Sequence, residues 1–114
     1  MSSRNKDERS HVNALIKAIQ KNSPGVYVHI DRDAGAARHT SSGYDFLLAF
    51  NGQVVFVEAK EETGKLSDWQ EFTRSLIQAA KCKYHVIRFS ENEDFFTMDG
   101  KRIAIKDATL QDFF

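Results

Sequence analysis

A chain of 114 residues suffices for one domain of ordinary size and not for two. Apolar residues make up 41% and charged residues 28%, which excludes a disordered chain and permits a core without covalent staples. The single cysteine, Cys82, excludes an intramolecular disulfide framework and argues against a thiolate zinc cage. No apolar run approaches the length of a membrane span, and residues 1–9 are too charged for a signal peptide. The expectation is a soluble, intracellular protein, cytoplasmic or nucleoid-associated. The net charge of zero hides an asymmetry: residues 1–88 hold 13 Lys/Arg against 10 Asp/Glu, and residues 89–114 hold 3 against 6. A neutral total argues mildly against non-specific nucleic-acid binding, although carboxylates gathered around metal ions would mask basic surface elsewhere.

In chain order, Val12, Leu15, Ile16 and Ile19 recur at helical spacing and predict an amphipathic helix over about residues 6–21. Asn22-Ser23-Pro24-Gly25 breaks it, and the alternation around Val26, Val28 and Ile30 predicts a strand. Residues 33–42 have no period and read as a loop. Two apolar runs, 44–50 and 53–60, are joined by Asn51-Gly52, the strongest short hairpin signal, because a type I′ turn needs positive φ at both central residues. Both faces of these strands are apolar, which predicts a sheet covered on two sides. A second helix follows Ser67, with Trp69, Phe72, Leu76 and Ala80 spaced for one buried face. Residues 84–89 read as a strand. Residues 95–105, broken at Asp99-Gly100, read as a hairpin in a peripheral C-terminal appendage spanning 90–114. The fold class is α/β, a central mixed sheet flanked by helices with an αβββαβ core in one domain over 1–114.

A two-residue loop at Asn51-Gly52 pairs Phe50 with Gln53 and sets Asp45 opposite Glu58. Such a pair has Cβ atoms roughly 4.5–5.5 Å apart on the same face. Lys60, two residues beyond Glu58, shares that face. Opposed carboxylates are unfavourable unless a cation bridges them, one is protonated, or the lysine compensates. Hard oxygen ligands suit Mg²⁺, with Mn²⁺ as substitute, rather than zinc. From geometry alone, a surface Lys–Glu pair beside a strand-initial aspartate competes evenly with this reading.

Gly43-Tyr44-Asp45, thirteen residues on Glu58-Ala59-Lys60, then Gly64-Lys65-Leu66-Ser67-x-x-Gln70 opening a helix, resembles the PD-(D/E)xK nuclease superfamily. Within it the chain is most similar to VRR-NUC-type nucleases and archaeal-type Holliday-junction resolvases, over about residues 5–90. The resemblance implies a restriction-endonuclease-like fold and a Mg²⁺-dependent endonuclease acting on branched, flapped or junction DNA, with a homodimer possible. It implies catalytic roles for Asp45, Glu58, Lys60, Gln70 and Glu8. Asp45, Glu58 and the carbonyl of Ala59 would bind metal, joined by Glu8 if the first helix reaches the site. Tyr44 stands where the family often has proline, which removes no ligand.

Other residues carry two readings each. Ser67-Asp68-Trp69-Gln70 is also a helix-capping box, and the two roles of Gln70 are compatible. A glutamate in a first helical turn, such as Glu8, is favoured by the helix dipole alone. Arg32, Arg38, His39, Ser42 and Lys65, with Thr40 and Ser41, lie in loops where they would hold a phosphate backbone or stay solvated. His29 and Asp31 share a strand face and are either ligands or ordinary half-buried groups. Against the nuclease stands a catalytically inactive nuclease-like module binding DNA or protein, which would not need Mg²⁺.

Overall fold

The computed structural model describes residues 4–31, 43–61, 63–90 and 94–114. Helix α1 spans Arg4–Asn22, strands β1 Tyr27–Ile30, β2 Phe46–Phe50 and β3 Gln53–Glu61, helix α2 Asp68–Ala79, and strands β4 Lys83–Phe89, β5 Phe95–Met98 and β6 Lys101–Ala104. Two 3₁₀ turns, Ile105–Asp107 and Leu110–Asp112, follow. The six strands lie in one sheet in chain order, antiparallel throughout except for the parallel β3–β4 pair. That pair needs a crossover, and α2 supplies it. The fold is therefore α/β with a mixed sheet between helices, as expected. No helix among the described residues is long and apolar enough to cross a membrane.

The β2–β3 hairpin turns at Asn51 (φ 54°) and Gly52 (φ 81°), and Phe50 pairs with Gln53. Alternation then sorts the side chains. Phe46, Leu48, Val55, Val57, Ala59, Ile87 and Phe89 share one face and are buried. Leu15, Ile16 and Ile19 of α1 close that core. The opposite face carries Phe56, Glu58, Lys60, Tyr84, Val86 and Arg88, and α2 packs there, against β4.

Three expectations change. Of the segment 90–114, expected to be a peripheral appendage, residues 94–114 are not peripheral: β5 extends the sheet from β4, and Phe96, Met98, Ile105, Ala108, Leu110 and Phe113 are part of the core. The end of α1 ties this segment down, with the Asn22 side-chain amide donating to the carbonyls of Lys106 (3.1 Å) and Ala108 (2.9 Å). The Ser23 hydroxyl accepts the amide of Leu110 at 2.8 Å. The apolar stripe of α2 is not buried either, since Trp69, Phe72 and Leu76 are 48%, 53% and 54% exposed. Thr73 is the buried residue of that helix. Nor is the hairpin enclosed on two sides. On the α1 face Phe46, Leu48, Val55 and Val57 are buried, while Leu47, Ala49, Val54 and Phe56 on the other stay half-buried.

Candidate active site

The site is built where the β2–β3 ladder stops. Its last pair is Phe46↔Val57, one step short of the expected Asp45–Glu58 pairing. The Asp45 amide donates to the carbonyl of Val57 (2.9 Å), and the Asp45 carbonyl accepts the amide of Asp31 (2.9 Å). The side chain replaces the next backbone partner: Oδ2 accepts the amide of Ala59 at 2.7 Å. A strand residue's N–H and C=O face the same neighbour. The Ala59 carbonyl therefore points to the Asp45 side, beyond the end of the ladder.

The chain enters this corner through a narrow gap. Gly43 has φ +89°, and a Cβ there would lie 2.3 Å from Oγ1 of Thr73, so only glycine allows α2 to come so close. Its carbonyl accepts the buried hydroxyl of Tyr84 at 2.6 Å. Burial, with the negative charges of Glu58 and Asp45 beside it, pushes the Tyr84 phenol well up.

Glu58 is buried, 4% exposed, on the α2 face. Its Oε2 accepts the Gln70 side-chain amide at 2.7 Å and lies 3.9 Å from the Lys60 ammonium. Gln70 is itself clamped: its Oε1 accepts the Ser67 backbone amide (2.9 Å), and its backbone amide donates to the Ser67 hydroxyl (3.1 Å). Capping and contact with Glu58 thus coexist in one side chain.

Asp45 titrates above the ordinary carboxylate value because burial disfavours its charge; the Ala59 amide and Lys60 oppose this, and Asp31 adds to it. Asp31, weighed from sequence only as one of two strand-face candidates, is brought beside Asp45 by the β1–β2 register. No alternation could reveal this, because the connection between the two strands has no period.

Asp45, Glu58, Lys60 and Gln70 are therefore gathered at one end of the sheet. Glu8 lies in α1, but its side chain is outside what the structure describes, as are Arg32, Arg38, His39, Ser42, Thr40 and Ser41. Lys65 is exposed just before α2, and His29 is exposed on β1. Among the described residues no three His, Cys, Asp or Glu side chains form a metal cage. Asp45 and Glu58 share this end of the sheet with the Ala59 peptide, whose amide Asp45 accepts, and carboxylate and carbonyl oxygens are the donor type that suits Mg²⁺ or Mn²⁺.

No protein-family model and no curated protein matches this chain. Among solved structures it is similar to Hjc, a Holliday junction resolvase from the archaeal hyperthermophile Archaeoglobus fulgidus. The TM-score is 0.50 at 14% identity, covering 82% of this chain and 73% of that one. At such identity the likeness concerns the fold, a mixed sheet with two helices consistent with the restriction-endonuclease-like class.

Proposed function

We propose that this protein is a metal-dependent endonuclease that hydrolyses DNA phosphodiester bonds, selecting branched, flapped or junction DNA. The observation that carries this is the gathering of Asp45, Glu58 and Lys60 at the end of the β2–β3 ladder, with the Ala59 amide on Asp45 and the Lys60 ammonium beside Glu58. Its setting on a resolvase-like fold supports the choice of substrate.

Asp45, Glu58 and the Ala59 carbonyl would hold a divalent ion, which supplies polarisation of a phosphoryl oxygen and acidifies water. Lys60 places an ammonium on the same strand face, where it offsets charge developing on the phosphoryl oxygens. Gln70 keeps the Glu58 carboxylate in one orientation, and Ser67 keeps Gln70 in place. Gly43, Thr73 and Tyr84 fix the entry of the Asp45 segment against α2. A homodimer belongs to this proposal, because one small domain covers little of a branched substrate. Sedimentation at micromolar concentration with and without DNA tests it, and a monomer in both would remove it.

The deciding experiment incubates wild type and Lys60→Ala with branched, flapped and linear DNAs, in Mg²⁺ and in EDTA. Wild type is expected to cut in Mg²⁺ only. Loss of one preorganised charge typically costs about 10²–10³ in rate, with folding intact. Cutting by Lys60→Ala at the wild-type rate would remove Lys60 from the site. If wild type cuts nothing in the panel, the binding-module reading replaces the nuclease.

A further inference from the structure

The face carrying Glu58 and Lys60 continues onto β4, where Val86 pairs with Glu58 and Arg88 with Lys60. Neighbouring strands lie about 4.8 Å apart, so Arg88 is one strand spacing from Lys60. Beside it opens a polar cleft of about 400 Å³ between α2 with its leading segment and β4, lined by Lys65, Arg74, Arg88 and Tyr84 among others. The Arg88 guanidinium donates to the carbonyl of Gly64, which holds it at the cleft.

Among the described residues, the carboxylates of Glu71 and Asp99 also line the cleft. Glu71 lies 3.6 Å from the Arg74 guanidinium, with the two side chains 57% and 42% exposed. Asp99 is 81% exposed and lies 3.8 Å from Nδ1 of His85. The Glu71–Arg74 pair, exposed on both sides, contributes little. A ligand offering several anionic oxygens can therefore take Arg74 from Glu71. Guanidinium forks match phosphate oxygens in pairs, and lysine adds a point charge.

We propose that this cleft is a second phosphate subsite, taking a backbone phosphate of the nucleic-acid strand that passes over Lys60. The subsite rests on the nuclease reading above and adds Arg74 and Arg88 to its substrate contacts. It gives the strand two fixed points on one sheet face, which sets its direction across the scissile position.

The test is equilibrium binding of a fluorescent branched DNA across a salt series, with Ca²⁺ replacing Mg²⁺ so that binding is read without turnover. Lys65→Ala/Arg74→Ala is expected to bind about tenfold more weakly. Its slope of log affinity against log salt should be shallower by roughly 1–2, because each lost phosphate contact removes about 0.7–0.9. Glu71→Gln should bind several-fold tighter, an effect that a merely structural cleft would not show. Inorganic phosphate alone, by calorimetry, should bind no better than millimolar; micromolar binding would make this a free-phosphate site and overturn the proposal. If wild type binds and cuts while both variants keep its affinity and slope, the subsite is wrong and the nuclease stands. If wild type neither binds nor cuts any DNA, both fall together.

Discussion

At Asp45 a side chain stands in for a strand. The amide of Ala59 would have gone to a backbone carbonyl had the ladder continued, and it goes instead to a carboxylate oxygen. Holding that carboxylate half-buried costs stability, which the raised Asp45 pKa expresses. The sign follows from linkage. A carboxyl whose folded pKa exceeds its unfolded value penalises the fold fully above the folded pKa, and the penalty fades as pH drops to the ordinary value of 3.8. Asp45→Asn keeps an acceptor for the Ala59 amide and removes the charge. In EDTA it is expected to be more stable than wild type at neutral pH, with the difference vanishing towards pH 3.8. Urea midpoints across pH read this directly. An asparagine variant less stable at neutral pH would mean that the charge is satisfied rather than tolerated.

Among the elements, α2 shows most clearly what a sequence discloses. Its period predicts a helix and its cap predicts the start, and both hold from Ser67 to Ala79. Period alone says which residues share a face, not which face meets the sheet. Here the sheet takes the side bearing Gln70 and Thr73, because Gly43 leaves room for Thr73 and Glu58 accepts from Gln70. The β2–β3 register was legible because Asn-Gly fixes a two-residue turn, and with it came Asp45, Glu58, Ala59 and Lys60 at one sheet end. Asp31, Tyr84 and Arg88 reach that neighbourhood from distant segments, through pairings that no local pattern encodes. The acidic tail misled for a related reason: its short strands are polar in part, yet Phe96, Met98 and Phe113 supply core volume. The docking of α2 yields its own prediction. Ser67→Ala should cost about 1 kcal/mol, the worth of a cap. Gln70→Ala should cost roughly 2–3 kcal/mol, because it also strips a hydrogen bond from the buried Glu58. Equal losses in denaturant titrations would show that the Glu58 contact adds nothing to holding the helix.

Across the whole molecule, one sheet face carries the apolar core and the other the polar residues of the candidate site. The α1 face buries apolar side chains from β2 to β5, with Ile103 of β6 partly buried against them, while the α2 face keeps Glu58, Lys60, Tyr84 and Arg88. The half-buried charge of Asp45 on that second face lowers the stability of the metal-free protein, and a divalent ion bound there would raise it. Binding to the folded state alone contributes about 2.7 kcal/mol at a hundredfold excess over Kd. For a domain of this size that corresponds to a rise in Tm on the order of 10 °C. The rise is expected with Mg²⁺ and Mn²⁺ in wild type and should be absent in Asp45→Asn and Glu58→Gln. Lys60 supplies no ligand, so Lys60→Ala should keep the rise, which separates metal binding from the role proposed for the ammonium. Thermal melts at fixed pH, with and without the ion, decide between these outcomes. An equal rise in wild type and in both carboxylate variants would place the ion elsewhere on the molecule and leave Asp45 and Glu58 without their role.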